Sequence, residues 1–237
     1  MGEDYSIQKY GGNTADILKS SFISLLEGFS GMAVSEKKDF GLSVSHLLQG
    51  LIRGKLLNQL IAEWSDYREK GKIKDDYQST EQHFECLQEM LDFLDRDSPD
   101  RIRFNVIKQI FIEAACEEKT DRNSIIPQQF MKVCRNLSSG EIIVLNTTYQ
   151  FAKTRPYPNV NGAAGWNEFI ASESGLEHPA LVEVHEDTLM AKHLLTQRIH
   201  VDHSGVNLDP YFRLTTLGFG ICQFIEDFDI VEQKLEE

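Results

Sequence analysis

Apolar residues in the first half of the chain recur at intervals of three and four, which is the spacing of one face of an α-helix. This spacing predicts helices over residues 15–34 and about 45–70. Further helices are predicted after Ser79 and after Ser98, where capping sequences open an apolar stripe, and near 127–136. We therefore expect a mainly α protein with an N-terminal helical bundle.

The helical stripes also predict which side chains form the core of this bundle. The second helix should end at Gly71, because glycine accepts the left-handed conformation of a helix C-cap. The residues expected to be buried are Leu47, Leu48, Leu51, Leu60, Ile61, Trp64, Phe84, Leu87, Leu91, Leu94, Phe104, Ile107, Phe111 and Ala114.

A second domain is predicted beyond the middle of the chain. Ser138 and Glu141 have the spacing of a capping box, and the apolar residues after them predict a helix that opens this domain. Residues 154–165 hold two prolines and two glycines and predict an exposed connector. We place the boundary at 137, which gives a helical domain over 1–137 and a second domain over 138–237.

The last part of the second domain predicts a mixed order of elements. Beyond a helix opened by Pro179, the sequence predicts a short helix over 187–196, strands over 198–203 and 211–215, and a closing helix capped by Thr216. This order, with the phrases LLTQRIHVDHSG and YFRLTTLGFG, resembles winged-helix proteins. The resemblance implies a winged-helix-like C-terminal domain in which a recognition helix precedes a small β wing.

A second similarity concerns the segment that follows the predicted wing. The chain is similar to bacterial abortive-infection proteins of the alpha type, which are helical chains that end in a comparable L-T-x-x-G segment. That similarity implies a role in phage defence.

Charge distinguishes between the two uses of a winged-helix domain. The chain holds 24 Lys and Arg against 37 Asp and Glu, a formal net charge of -13, and from Arg135 onward the counts are 7 against 15. Affinity for DNA comes from neutralised phosphates, so this excess of carboxylates disfavours nucleic acid as a partner. The predicted recognition helix and its flanks offer Glu186, Asp187, Lys192 and Gln197.

We therefore expect a non-catalytic regulatory or interaction protein that uses the winged-helix-like domain for protein–protein contacts. The alternative within the same fold is a DNA-binding transcriptional regulator. That alternative needs a basic patch assembled from residues distant in sequence, such as Arg53, Lys55, Arg101, Arg103 and Lys108.

Two groups of residues are candidates for interaction. Gly50 and Gly54 lie four apart in a predicted helix, where each glycine costs about 1 kcal/mol relative to alanine. Their position predicts a close approach by another backbone, either inside the monomer or between subunits of a homo-oligomer. Arg155, Tyr157 and Trp166 lie in or beside the predicted connector and could form a stacking or partner surface, although the connector could also be a plain linker.

Five of the seven histidines fall within 178–203, which is the one segment that suggests metal chemistry. The tightest group is His200, Asp202 and His203. On a strand His200 and Asp202 share a face and His203 points away, so a three-ligand site needs a bend and a further histidine. A metal-dependent hydrolase is thus a second alternative, while the main interpretation has no catalytic residue, no metal and no cofactor.

Other function classes find no support in the motifs. The four cysteines, which contain no C-x-x-C pair, predict reduced thiols, with Cys134 and Cys222 in the core. A nucleophile elbow of the form G-x-S-x-G is lacking. The first twelve residues are acidic and contain no apolar run, and no uncharged stretch is long enough for a bilayer span, so we expect a cytoplasmic protein.

Overall fold

The computed structural model describes residues 51–74, 77, 80–97, 100–116, 125–153, 162–197, 199–202, 205–208 and 213–233. The predicted helix over 15–34 lies outside these residues. Within 199–202 and 205–208 the backbone alone is described.

Helices dominate the described residues, which confirms the mainly α fold class. None of these helices is both long and apolar enough to cross a membrane. In chain order they are α1 (Leu51–Glu69), α2 (Glu81–Arg96), α3 (Arg101–Cys116), α4 (Ile126–Arg135), α5 (Ser139–Lys153), α6 (Gly162–Ser174), α7 (Pro179–Ala191) and α8 (Thr216–Gln233).

The described residues belong to two compact units. The first unit contains the residues up to 99 and those of 111–131, and the second contains 100–110 and the residues from 132 onward. The second unit therefore draws on helix α3 as well as on the C-terminal half. The domain boundary at 137 stays a prediction.

Helix α1 in the first unit ends as its sequence predicts. Gly71 has a φ of +66°, in the left-handed region that glycine adopts without steric cost. Its N–H donates to the Arg68 carbonyl at 2.9 Å, and the Lys72 N–H donates to the Tyr67 carbonyl at 3.0 Å. These hydrogen bonds satisfy carbonyls that would otherwise lack a partner at the helix end.

The core of the first unit is aromatic. The Trp64 ring lies 5.0 Å from Phe111 and 5.4 Å from His83 between ring centroids. Most of the described stripe residues predicted for the core are buried, although Phe84 is half-buried. The buried residues are Leu60, Ile61, Trp64, Leu87, Leu91, Leu94, Phe111 and Ala114 in the first unit, and Phe104 and Ile107 in the second.

Helices α3 and α5 begin with side-chain caps. The Asp100 carboxylate accepts from the N–H groups of Ile102 and Arg103, both at 3.0 Å, and so caps α3. At α5 the predicted capping box is confirmed: the Ser138 N–H donates to Glu141 Oε2 at 3.0 Å, and the Glu141 N–H donates to Ser138 Oγ at 3.3 Å.

Helix α7 corrects the prediction of two separate helices around residue 187. A single helix runs from Pro179 at its first position to Ala191, because no helix-breaking residue interrupts it. The helix stops where His193 takes a φ of +59°. The helix predicted over 187–196 is therefore wrong in its bounds, and its second half forms a turn and a bridge from Leu195 to Leu214.

Two short strands follow this turn. Strand β1 (Ile199–Asp202) pairs antiparallel with β2 (Gly205–Leu208), so that Ile199 lies opposite Leu208. Strand β2 thus lies inside the segment predicted to be a loop. Pairing with the nearest downstream residues closes the shortest loop, which carries the smallest entropy loss. From the second predicted strand, 211–215, the described residues contribute only the bridge at Leu214.

The start of α8 is fixed against the turn after α7. The cap of α8 is Thr215 rather than Thr216, since Thr215 Oγ1 accepts from the Gly218 N–H at 3.0 Å and donates to the His193 carbonyl at 2.7 Å. A Cβ at Gly218 would lie well under 3.0 Å from the carbonyl oxygen of Leu194. Only glycine fits this close backbone approach.

Candidate functional site

A pocket of about 600 Å³ opens in the second unit beside helices α6 and α7. We call it the acidic pocket, because four of its lining residues carry carboxylates. Helix α6 contributes Ala164, Asn167 and Glu168, helix α7 contributes Pro179, Ala180, Glu183, Glu186, Asp187 and Met190, and Gln197 and Arg213 complete the lining.

The sequence of α7 explains why so many of its residues face the acidic pocket. Ala180, Glu183, Asp187 and Met190 follow one another at intervals of three or four, so they lie on one face of the helix. Val182 and Leu189 are buried. The helix thus fixes one side in the core and presents a mixed acidic and apolar face to the pocket.

A buried ion pair forms part of the pocket lining. Arg213 Nη1 lies 2.6 Å from Glu186 Oε2, and the two side chains are only 1% and 2% exposed. The Trp166 indole N–H donates to the other oxygen of Glu186 at 3.1 Å. Because both charges are removed from water, each depends on its partners for stabilisation.

The backbone around Arg213 holds its guanidinium in place. Arg213 Nε donates to the carbonyl oxygen of Thr196 at 3.0 Å, and Nη2 lies 3.0 Å from the sulfur of Met190. In return the Thr196 N–H donates to the Arg213 carbonyl at 2.6 Å. The arginine therefore joins helix α7 to the segments on both sides of the hairpin.

The remaining carboxylates of the acidic pocket lie at the surface. Glu168, Glu183 and Asp187 are exposed, and within the described residues no ion pair involves them. With Glu186 neutralised by Arg213, these side chains give the pocket a surplus of negative charge. Such a concave site with a single sign of charge attracts cations.

Helix α7 also carries apolar side chains that point away from the core. Leu181 is 44% exposed and Val184 is 59% exposed. In the sequence they alternate with Glu183 and Asp187, whose carboxylates lie on the adjacent face that lines the acidic pocket. The helix contains no lysine and no arginine.

The predicted interaction residues are placed as follows. Trp166 is 1% exposed, and its indole N–H donates to Glu186, which lines the acidic pocket. Gly54 lies in α1 and is half-buried. Gly50, Arg155 and Tyr157 lie outside the described residues. An interaction surface formed by these residues stays a prediction.

The predicted metal ligands fall largely outside what the structure describes. His203 is not among the described residues, and for His200 and Asp202 only the backbone position in β1 is described. Among the described residues, no group of three or more His, Cys, Asp or Glu is placed to hold a metal ion. His185, an earlier histidine of the same segment, packs its ring against Gly140 of α5.

Two of the basic residues invoked for a DNA-binding patch are not free surface charges. Lys108 is 2% exposed, with its ammonium 5.8 Å from the centre of the Phe104 ring. Arg103 is half-buried and donates to the Arg135 carbonyl at 2.6 Å. Burial keeps Lys108 from neutralising a phosphate, and one nitrogen of the Arg103 guanidinium is already used within the fold.

The cysteines play a packing role. Cys134 and Cys222 are buried free thiols, as predicted. Burial raises the pKa of the Cys134 thiol to about 12. At neutral pH it is therefore a neutral, unreactive group.

Glu186 and Arg213 were not predicted as members of one site. The available signal was Arg213 itself, a charged residue directly before the apolar Leu214 and the predicted helix cap in YFRLTTLGFG. Its partner is distant in sequence, so only the fold brings the two together.

No family model, curated protein sequence or solved structure matches this chain.

Proposed function

We propose that the chain is a non-catalytic interaction protein that binds another protein through helix α7 of its winged-helix-like C-terminal domain. The observation that carries this proposal is the composition of the exposed face of α7. Leu181 and Val184 offer apolar contact area, and Glu183 and Asp187 add negative charge on the adjacent face of the helix, which lines the acidic pocket. Protein interfaces combine an apolar centre with a polar rim in this way.

The order of elements supports the winged-helix part of the proposal. Helix α7 is followed by an antiparallel hairpin and then by α8, which is the order of a recognition helix and its wing. A recognition helix that reads DNA carries basic or amide side chains toward the bases. Since α7 carries carboxylates instead, the same position in the fold suits a basic protein surface. The role in phage defence stays a prediction from the resemblance.

Site-specific photo-cross-linking tests this function. A benzophenone amino acid is placed at Leu181 or Val184 in cells that express the chain, with Ser172, an exposed residue of α6, as the control position. We expect a nuclease-resistant protein adduct from the α7 positions and none from Ser172. The captured protein, purified and recombined with the chain, should bind about tenfold more weakly to the Leu181→Ser, Val184→Ser variant.

Two results contradict the proposal. Adducts that disappear on nuclease treatment would show that α7 contacts nucleic acid, which is the transcriptional-regulator alternative. Equal adducts from Ser172 and from α7 would show that the helix has no special role in binding.

A further inference from the structure

We infer that the acidic pocket binds a cationic side chain, a lysine or arginine, that the protein partner inserts between α6 and α7. The inference rests on the proposed function for its partner, but it identifies a site that the partner surface on α7 does not by itself require. It follows from the charge, the shape and the rigidity of the pocket.

The charge of the pocket selects a cation. Glu168 comes from α6, whereas Glu183 and Asp187 come from α7, so an ammonium or guanidinium group between the helices meets carboxylates from two sides. The one cation in the lining, Arg213, is 1% exposed and already paired with Glu186. An entering anion would therefore find repulsion at the mouth and no accessible positive charge.

The shape of the pocket suits a long side chain with a charged end. Ala164, Pro179, Ala180 and Met190 provide apolar wall between the carboxylates. The methylene stem of lysine or arginine can lie along such a wall while its head stays near charge and water. A volume of about 600 Å³ also falls within the range of small-ligand sites, roughly 300–1,000 Å³.

The buried part of the lining is rigid before any ligand enters. Glu186 is held by both Trp166 and Arg213, and Arg213 is held in turn by the Thr196 carbonyl. A site whose fixed groups need no reordering loses less entropy on binding. The pocket therefore contains two charged side chains, Glu186 and Arg213, that are almost fully buried and already held in place.

The indole N–H signals give a readout that belongs to this site. The chain has two tryptophans, so its ¹H–¹⁵N spectrum contains two indole signals. Trp166 donates to Glu186 at the pocket, whereas Trp64 lies in the core of the first unit. The Trp64→Phe variant loses the indole signal of Trp64, so the signal that remains is that of Trp166.

The probe is the blocked tripeptide acetyl-Ala-Lys-Ala-amide, titrated into the full chain. We expect the Trp166 signal to shift in a saturable way and the Trp64 signal to stay in place. The same peptide with Nε-acetyl-lysine keeps the length and loses the charge, so it should give no shift. Raising NaCl from about 0.05 M to about 0.5 M should weaken binding of the lysine peptide, because exposed carboxylates are screened.

Charge-neutral variants locate the binding site. Glu183→Gln and Asp187→Asn should each raise the Kd of the lysine peptide about 2- to 5-fold, the effect of one exposed ion pair. Glu173→Gln is the matched control: Glu173 is exposed on α6 but does not line the pocket, and its loss should leave Kd unchanged. An unchanged Trp166 signal without peptide shows that each variant keeps its fold.

The possible outcomes distinguish a failure of the pocket inference from a failure of the proposed function. Equal binding of the charged and acetylated peptides, or no binding of either, would overturn the inference even if α7 cross-links to a protein. Spermidine shifting Trp166 while the lysine peptide does not would also overturn it, since the ligand would then be a free polyamine. Peptide binding without any cross-link at α7 would overturn the proposed function and leave the pocket in place.

Discussion

At the scale of single residues, Gly218 shows how one position controls the geometry of the second unit. Its N–H donates to the Thr215 cap, and its α-carbon faces the backbone carbonyl of Leu194. In most helices alanine is more stable than glycine by about 0.5–1 kcal/mol. Here the methyl group would meet backbone that cannot move aside without displacing the start of α8.

We therefore expect Gly218→Ala to reverse the usual sign and to lower the free energy of unfolding by about 1–3 kcal/mol. Urea denaturation followed by circular dichroism measures the change. Gly140→Ala is the comparison, because the obstacle there is the imidazole of His185, a side chain that can rotate. The loss of unfolding free energy should therefore be smaller for Gly140→Ala than for Gly218→Ala. A more stable Gly218→Ala variant would show that the backbone approach is looser than described.

A second prediction at this scale concerns the thiol of Cys134. Burial raises its pKa to about 12, well above the value of about 8.5 for a free cysteine. The folded state therefore keeps the proton while the unfolded state releases it. The resulting stability is present below pH 8.5 and is lost as the pH rises toward 12.

The reactivity of Cys134 tests this environment. Iodoacetamide at pH 8 should label it only as fast as the protein unfolds, because the thiolate is the reacting species. Mass spectrometry of the labelled peptide follows the rate with and without urea, and the urea-unfolded chain supplies the reference. Rapid labelling of the native protein would mean that Cys134 is accessible and that its pKa is not raised.

At the scale of elements, the apolar stripes and the caps at Gly71 and Ser138 were predictable, whereas the cap of α8 was placed one residue too late and the strand pairing was not predicted. Gly71, Ser138 and Glu141 act within a few residues of their partners, so their sequence spacing carries the information. Strand β2 depends instead on which downstream segment pairs with β1, and the residue pattern favoured 211–215 over the nearer segment that closes the shortest loop. The pocket has the same difficulty, since Glu186 and Arg213 meet only through the folded chain.

The ion pair between Glu186 and Arg213 joins helix α7 to the segment that precedes α8. Replacing one member leaves the other charge buried without its counterion, so we expect Arg213→Met to cost about 3–5 kcal/mol of unfolding free energy. Adding Glu186→Gln to that variant should recover part of the loss. Chemical denaturation of both single variants and the double variant gives the coupling between the two side chains. Strictly additive effects would show that the pair does not act as a unit.

At the scale of the whole molecule, the second unit is not continuous in sequence. It contains residues 100–110 as well as the chain from 132 onward, and Phe104 and Ile107 from its first segment are fully buried. Across the predicted boundary, Lys192 Nζ donates to the Asn136 carbonyl at 2.5 Å. A fragment cut at the predicted boundary would lack Phe104 and Ile107 of its core and the carbonyl that accepts from Lys192.

We therefore expect the fragment 138–237 to unfold at a lower denaturant concentration than the second unit of the full chain. A peptide of residues 100–137 added in trans should restore about 2.7 kcal/mol when present at a hundredfold its Kd. The same peptide with Phe104→Ser and Ile107→Ser should restore none, because it can no longer fill the core. If the fragment alone is as stable as the full chain, residues 138–237 form a complete domain and the boundary at 137 is the correct one.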